Sequence, residues 1–290
     1  MLVTTAIISG LELGSMYGLI ALGYHVTFSV SNTVNFAQGS ALMLGAVLAY
    51  TFGVTFGWPM ALAIAAALAI CALFGLLVER ALVRPFVVRG SNSWLMATVA
   101  GGIFLDNLVM FTYGKEPRSF PSFFSAKSVS VLGVGVDPLQ LAIPVVSVGA
   151  ALALHVFSTR TRYGKALLAV VQNPDAARLM GINVRMAVAL SFAASTALAG
   201  LAGLMIAPLS SVSAEMGTLF GIKAFAVAIL GGIGSATGVM LAGFIYGVTE
   251  ALITALLGSA YTQIIVFGVV ILSLSLLPNG ILGRSAVKKV

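Results

Sequence analysis

The sequence predicts an all-α polytopic membrane protein of about eight or nine transmembrane segments, arranged as two related half-bundles with broken or re-entrant helices. Composition points there first. Of 290 residues, 60% are hydrophobic and only 8% are charged, where a soluble domain carries roughly 25% charged residues. Apolar runs of about 20 residues recur along the chain, each long enough to cross a ~30 Å hydrocarbon core as a helix. Strand-like alternation is absent, which excludes an outer-membrane barrel. Finally, Lys and Arg gather where the apolar runs end, as they do in membrane proteins that keep positive loops in the cytoplasm.

Taken in order, the apolar segments are 5–30, 34–55, 59–79, 93–113, 138–158, 187–208, 217–233, 236–257 and 260–278. The start, MLVTTAIISG, lacks a basic n-region, so no cleavable signal peptide is expected and the first run reads as a span. The second, opening SNTVNFAQGSALMLG, places Asn32, Asn35, Gln38, Gly39 and Ser40 at membrane depth. Irregular backbone survives there only when buried in protein or lining a water-filled cavity. The third, with the lone Cys71, allows neither an intrachain disulfide nor a cysteine metal cluster.

Three basic clusters set the orientation: Arg80, Arg84 and Arg89; Arg160, Arg162, Lys165, Arg178 and Arg185; and Arg284, Lys288 and Lys289. All three belong in the cytoplasm. The loop 114–137 then lies outside despite Lys115, Arg118 and Lys127. The net charge of +7 therefore reports topology and not a nucleic-acid partner. Three full crossings before Arg80 put the N-terminus outside; a re-entrant 34–55 puts it inside. The whole chain, 1–290, reads as one transmembrane domain carrying a cytoplasmic loop, 159–186.

A phrase repeats. Glu12–Leu19 reads ELGSMYGL and Glu215–Ile222 reads EMGTLFGI, identical at three of eight positions and conservative at the rest. The first leads into NFAQGSALMLG and the second into GGIGSATGVMLAG. Paired glycine-interrupted segments in corresponding positions point to the substrate path of a transporter built from two halves. Most of the 32 glycines serve close helix packing, but Gly231-Gly232-Ile233-Gly234-Ser235 fits a tight reversal. Ionisable residues in or near spans are costly and few: Glu12, His25, Asp106, His155, Glu215, Lys223 and Glu250. Lys223 is placed to pair with Glu215 or Glu250. Candidate residues of the central path are Asn35, Phe36, Gln38, Gly39, Lys223, Gly231, Gly232 and Gly234; polar amides can bind a zwitterion without a permanent buried charge.

The longest polar cytoplasmic segment, STRTRYGKALLAVVQNPDAARLMGINVRM, holds a helix signature. Asn173 reads as N-cap, Pro174 as the first helical residue, Asp175 as an acid favoured by the helix dipole, and Gly181 as the residue that ends the helix. About two turns long, this helix is too short to be stable alone and must dock.

Here the chain resembles a known family. Asp175-Ala176-Ala177-x-x-x-Gly181 is similar to the EAA-x-x-x-G motif of ABC importer permeases, with Asp in place of Glu. YGKALLAVVQNPDAARLMGINV, NTVNFAQGSALMLG and GIKAFAVAILGGIGSATGVMLAG resemble the branched-chain amino acid permease family of LivH type over nearly the whole chain. That resemblance implies a permease subunit of the bacterial cytoplasmic (inner) membrane, importing branched-chain or other amino acids, urea or short amides. It implies that Asn173, Pro174, Asp175, Ala176, Ala177, Arg178 and Gly181 couple the chain to an ATPase. It also implies partners: a second, homologous permease subunit, expected as a heterodimer, two ATP-binding subunits and an extracytoplasmic substrate-binding protein. The chain has no P-loop, so ATP and Mg²⁺ are used by the partners, and no cofactor or metal is expected here. An ion-coupled secondary transporter of small polar metabolites would share the repeats and broken helices. It would not need the docking helix, however, and no run of acids suggests a proton relay. With no His-Glu-x-x-His and no Gly-x-Ser-x-Gly, nothing suggests an enzyme.

Overall fold

The computed structural model describes residues 2–120, 129–131, 134–277 and 279–283; the cations Lys127, Arg284, Lys288 and Lys289 lie outside them. The nine apolar segments all form helices. These are α1 (Leu2–Ser31), α2 (Gln38–Tyr50, continued by a π-helical turn to Thr55), α3 (Met60–Leu77), α5 (Trp94–Tyr113), α6 (Pro138–Arg160), α9 (Val184–Ile206), α10 (Met216–Gly231), α11 (Ala236–Leu257) and α12 (Ser259–Leu276). A π-helical stretch, Val78–Val83, and the short α4 (Arg84–Val87) extend α3. Among the described residues eight helices are long and apolar enough to cross a membrane; α10, at 16 residues, is the short one. Two features carry no apolar run. One is a small antiparallel ribbon, β1 (Val129–Val131) with β2 (Val134–Val136). The other is the cytoplasmic pair α7 (Arg162–Gln172) and α8 (Pro174–Leu179).

Helix starts follow local capping chemistry. The side chains of Asp137, Thr161, Asn173, Asn183 and Ser235 each accept a hydrogen bond from a first-turn backbone N–H, satisfying donors that have no partner within the helix. Near the cytoplasmic end of α3, Arg84 grips Glu79 through both oxygens, at 2.9 and 2.7 Å.

The packing fixes the direction in which α1 crosses the bundle. Val30, at the end of α1, packs on Val170, Ala177 and Val184 of the cytoplasmic loop and α9. At the opposite face Arg118 pairs with Val212 through backbone hydrogen bonds. So α1 runs toward the face that carries α7 and α8, its N-terminal end lies at the opposite face, and α2 then makes a full crossing back.

Glycines decide how the bundle closes. Gly10, Gly14 and Gly18 of α1 face Gly243 and Gly247 of α11 so closely that a Cβ added at Gly14 or Gly243 would strike the other helix's backbone. The same happens where Gly217 and Gly221 of α10 cross Gly39 of α2. Without a hydrophobic force between helices in lipid, such close backbone approach and its dispersion contacts hold a bundle together. The repeat is thus spatial. Each copy of the phrase packs against the helix that follows the break in the other half. The two copies meet directly, at their equivalent sixth positions, where the rings of Tyr17 and Phe220 lie 5.8 Å apart. Both α1 and α10 run inward and both α2 and α11 run outward, so the halves are parallel repeats.

Gly243→Leu is expected to destabilise the protein by more than the ~1–3 kcal/mol of ordinary overpacking, because the added side chain meets backbone. Gly149→Leu, in open space on α6, is expected to change nothing. Thermal melts read by size-exclusion in detergent separate the two.

Candidate functional site

The break between α1 and α2 is a closed polar cluster. Asn32 takes a positive φ of 53°, and Asn35 and Gln38 are fully buried. The Asn35 side chain accepts from Ala37 N at 3.1 Å, turning the chain just ahead of α2, and its amide nitrogen reaches Gln38 Oε1 at 3.4 Å. Gln38 Nε2 donates to Ser195 O at 2.8 Å, and Ser195 Oγ lies 3.0 Å from Gln38 Oε1 and donates to Gly23 O at 2.9 Å. One amide therefore ties α1, α2 and α9 together. Phe36 packs its ring 5.1 Å from Phe225 of α10, while Gly39 carries the crossing with Gly217 and Gly221. Asn35, Phe36, Gln38 and Gly39 thus form one site, on the inner side of the Gly39 crossing. Ser195 completes it; buried in a mostly apolar run, it gave no sequence signal beyond being a hydroxyl at membrane depth.

The reversal between α10 and α11 is the second element. Gly231 ends α10, Gly232 takes φ +86°, and Ser235 donates its N–H to Gly232 O at 2.8 Å. Gly234 has open space around its Cα. His25 Nδ1 lies 2.7 Å from Ile233 O; a carbonyl only accepts, so Nδ1 carries the proton. The chain end returns here too: Ile281 N donates to Leu230 O at 2.8 Å and Leu282 N to Gly231 O at 3.3 Å, taking up carbonyls that α10 leaves unpaired.

Lys223 stands apart from both. It pairs with Glu250 of α11 at 2.5 Å and reaches Tyr17 OH at 3.4 Å, under the edge-to-face pair Tyr17–Tyr246. Glu215 is exposed at the start of α10 and is not its partner. Glu12 is buried within α1 beside Gln140 of α6. The acid shared by the two phrases therefore serves different ends in each half.

On the cytoplasmic face, α8 closes both of its own ends. Asn173 Oδ1 accepts from Asp175 N and Ala176 N at 3.1 and 3.0 Å. At the other end Gly181 takes φ +81°, its N–H bonds Arg178 O, and Ile182 N bonds Ala177 O, the double hydrogen bond of a Schellman stop. Ala177 turns inward against Val170 and Val184. Leu179 and Met180, 89% and 82% exposed, point away, and Asp175 and Arg178 form an exposed i,i+3 ion pair. Among the described residues no group of His, Cys, Asp and Glu is placed to hold a metal.

These features define a class: a multi-pass membrane transport subunit, with broken helices meeting inside the bundle and a capped, exposed helix on one of its faces. Comparison with known proteins narrows it. Residues 6–274 match the family described as branched-chain amino acid transport system, permease component, and the chain belongs to that family. It is 35% identical to the high-affinity branched-chain amino acid transport system permease protein LivH of Escherichia coli, covering 97% of this chain and 96% of that protein. Identity to BraD of Pseudomonas aeruginosa is also 35%, over 98% and 97%. The ribose import permease protein RbsC of Escherichia coli is 30% identical over 93% of this chain and 84% of its own. A solved structure, PsaBC from Streptococcus pneumoniae in complex with Fab, aligns with a TM-score of 0.49 at 11% identity over 92% of this chain and 90% of that one, too loose a likeness to carry an assignment.

Lys223→Met alone leaves the Glu250 carboxylate buried without its partner and is expected to cost about 3–5 kcal/mol. Lys223→Met with Glu250→Leu removes both charges and is expected to recover most of that. Melting temperatures of the two variants in one detergent check the difference.

Proposed function

We propose that this chain is a membrane-spanning permease subunit of an ATP-driven importer for branched-chain or other small amino acids, a single transmembrane unit with its coupling loop at 159–186. The observation that carries the reading is α8, a helix closed at both ends by its own residues whose apolar tip, Leu179 and Met180, the chain leaves uncovered. A short helix so built, in a chain of this family, suits the groove of an ATP-hydrolysing partner. Two such subunits, using ATP and Mg²⁺, would press on α8; a second permease chain would complete the channel, and an extracytoplasmic binding protein would deliver substrate. The chain itself needs no cofactor. RbsC is named for ribose import, so the amino acid assignment rests on the higher identity to LivH and BraD.

Within the bundle, Asn35, Phe36, Gln38 and Gly39 on one side and Gly231, Gly232 and Gly234 on the other are the proposed movable elements of the path, with Lys223 above them. Their hydrogen bonds are satisfied internally in this closed arrangement. Opening would release the hydrogen bond from the Gln38 side-chain amide to Ser195 O and free polar groups for a zwitterion's charges.

Leu179→Asp with Met180→Asp is expected to leave folding intact, since both side chains are exposed, and to lower ATPase co-purification and ATP-dependent uptake at least tenfold. Retained ATPase binding with full uptake would refute the coupling role. Asn35→Ala and Gln38→Ala are each expected to lower uptake several-fold, and unchanged uptake in both would place the path elsewhere.

A further inference from the structure

Most helices here are finished by the residue that follows them. Gly114 N closes the last turn of α5 on Met110 O, and Gly258 N closes that of α11 on Thr254 O. The end of α10 is built differently. Gly232 N reaches Ile229 O, but the next two carbonyls, Leu230 O and Gly231 O, are taken by Ile281 N and Leu282 N from beyond the end of α12. The segment that supplies them, 279–283, leaves α12 through a turn in which Gly280 N bonds Leu277 O at 2.9 Å. Its fit is between backbones. Gly280, at φ +79°, faces Gly232, at φ +86°, so closely that a Cβ on Gly280 would strike the Gly232 backbone, and one on Gly232 would strike Gly283. Side chains add little, since Ile281 and Leu282 stay 37% and 44% exposed. A unit held by backbone hydrogen bonds, with little buried apolar surface, belongs to the low-stability end of a fold and opens without the rest.

We propose that segment 279–283 is a detachable cap for α10, docked when the reversal Gly231–Ser235 is closed and released when it opens. The inference rests on the reading of that reversal as a movable element of the path. A cap made by a helix's own neighbours travels with the helix. One supplied from α12 ties the end of α10 to a second helix, so α10 cannot shift against α12 while those bonds stand. On its other side the reversal is held by His25 of α1, through Ile233 O. The reversal is thus pinned between α1 and the chain end, and the weaker of the two holds is the exposed one. Ile281 and Leu282 act as positioning residues through their backbone N–H groups, whatever side chain they carry.

Amide hydrogen exchange reads the cap directly, in the chain purified with its ATPase and held in lipid nanodiscs. The amides of Ile281 and Leu282 are expected to exchange at least tenfold faster when ATP and vanadate trap the complex than in the nucleotide-free state. Three variants then separate the backbone from the side chain. Ile281→Pro removes a donor N–H, Gly280→Ala puts a Cβ against the Gly232 backbone, and Ile281→Ala keeps every bond. The first two are expected to raise ATP hydrolysis without substrate several-fold, because the docked segment opposes the motion that accompanies hydrolysis; Ile281→Ala is expected to match the unmodified chain. Equal exchange in the two states would overturn the cap, and that measurement needs no variant to fold. So would Ile281→Pro and Gly280→Ala that hydrolyse ATP no faster than Ile281→Ala. ATPase co-purification with the unmodified chain separates the two levels of the argument. If it holds while the segment stays protected, only the cap is wrong; if no ATPase co-purifies, the importer reading itself has failed.

Discussion

Everything in this bundle depends on backbone meeting backbone at glycine. The crossing of α1 with α11, and its counterpart of α10 with α2, brings helices closer than any side chain would permit. In lipid, where apolar side chains gain little by leaving one environment for an equally apolar one, that closeness is the main source of cohesion. It also dictates the arrangement. Because each inward helix grips the outward helix of the other half, neither half could close its core alone. The halves are interlocked, and the ring contact between Tyr17 and Phe220 marks their centre.

Polar groups are then distributed according to what that interlock leaves room for. Gln38 and Asn35 are buried among helices that supply their partners, and Lys223 is neutralised by Glu250. A buried ion pair of this kind is weak evidence for stability, and its position between α10 and α11 beside Tyr17 suits it better to setting a register between helices. Asp106 differs: it is turned toward a cavity at the edge of the bundle, beside Ser40 and Thr218.

How much of this was legible beforehand follows from what kind of physics each feature obeys. Hydropathy is additive along the chain, so the spans, the reversal at Gly231–Ser235 and the capped cytoplasmic helix could be read almost residue by residue. Asn173 and Gly181 are local signals, and they fell where local rules put them. Partner choice is not local. The sequence offered Lys223 both Glu215 and Glu250, and only the crossing geometry selects the second. It suggested that Glu12 and Glu215 were equivalent because their neighbours match, yet one is buried beside Gln140 and the other is exposed. The parallel sense of the repeat depended on whether 34–55 crosses fully, which a broken, amide-rich segment leaves ambiguous. Asp106 was visible as a carboxylate in an apolar run, but its cavity with Thr218 arises from a contact between residues 112 positions apart.

The way α8 is finished has a mechanical consequence. A helix whose end groups are bonded by its own flanking residues can be displaced as a stiff body with its internal hydrogen bonds intact. Its inner face, Ala177, bears on Val184 at the start of α9 and on the same cluster as Val30 at the end of α1. Those are the two helices joined by the Ser195–Gly23 hydrogen bond, and Ser195 in turn holds Gln38. A load applied at the cytoplasmic surface therefore reaches the break through packed helices and not through compliant loops, so that little of the stroke would be lost on the way.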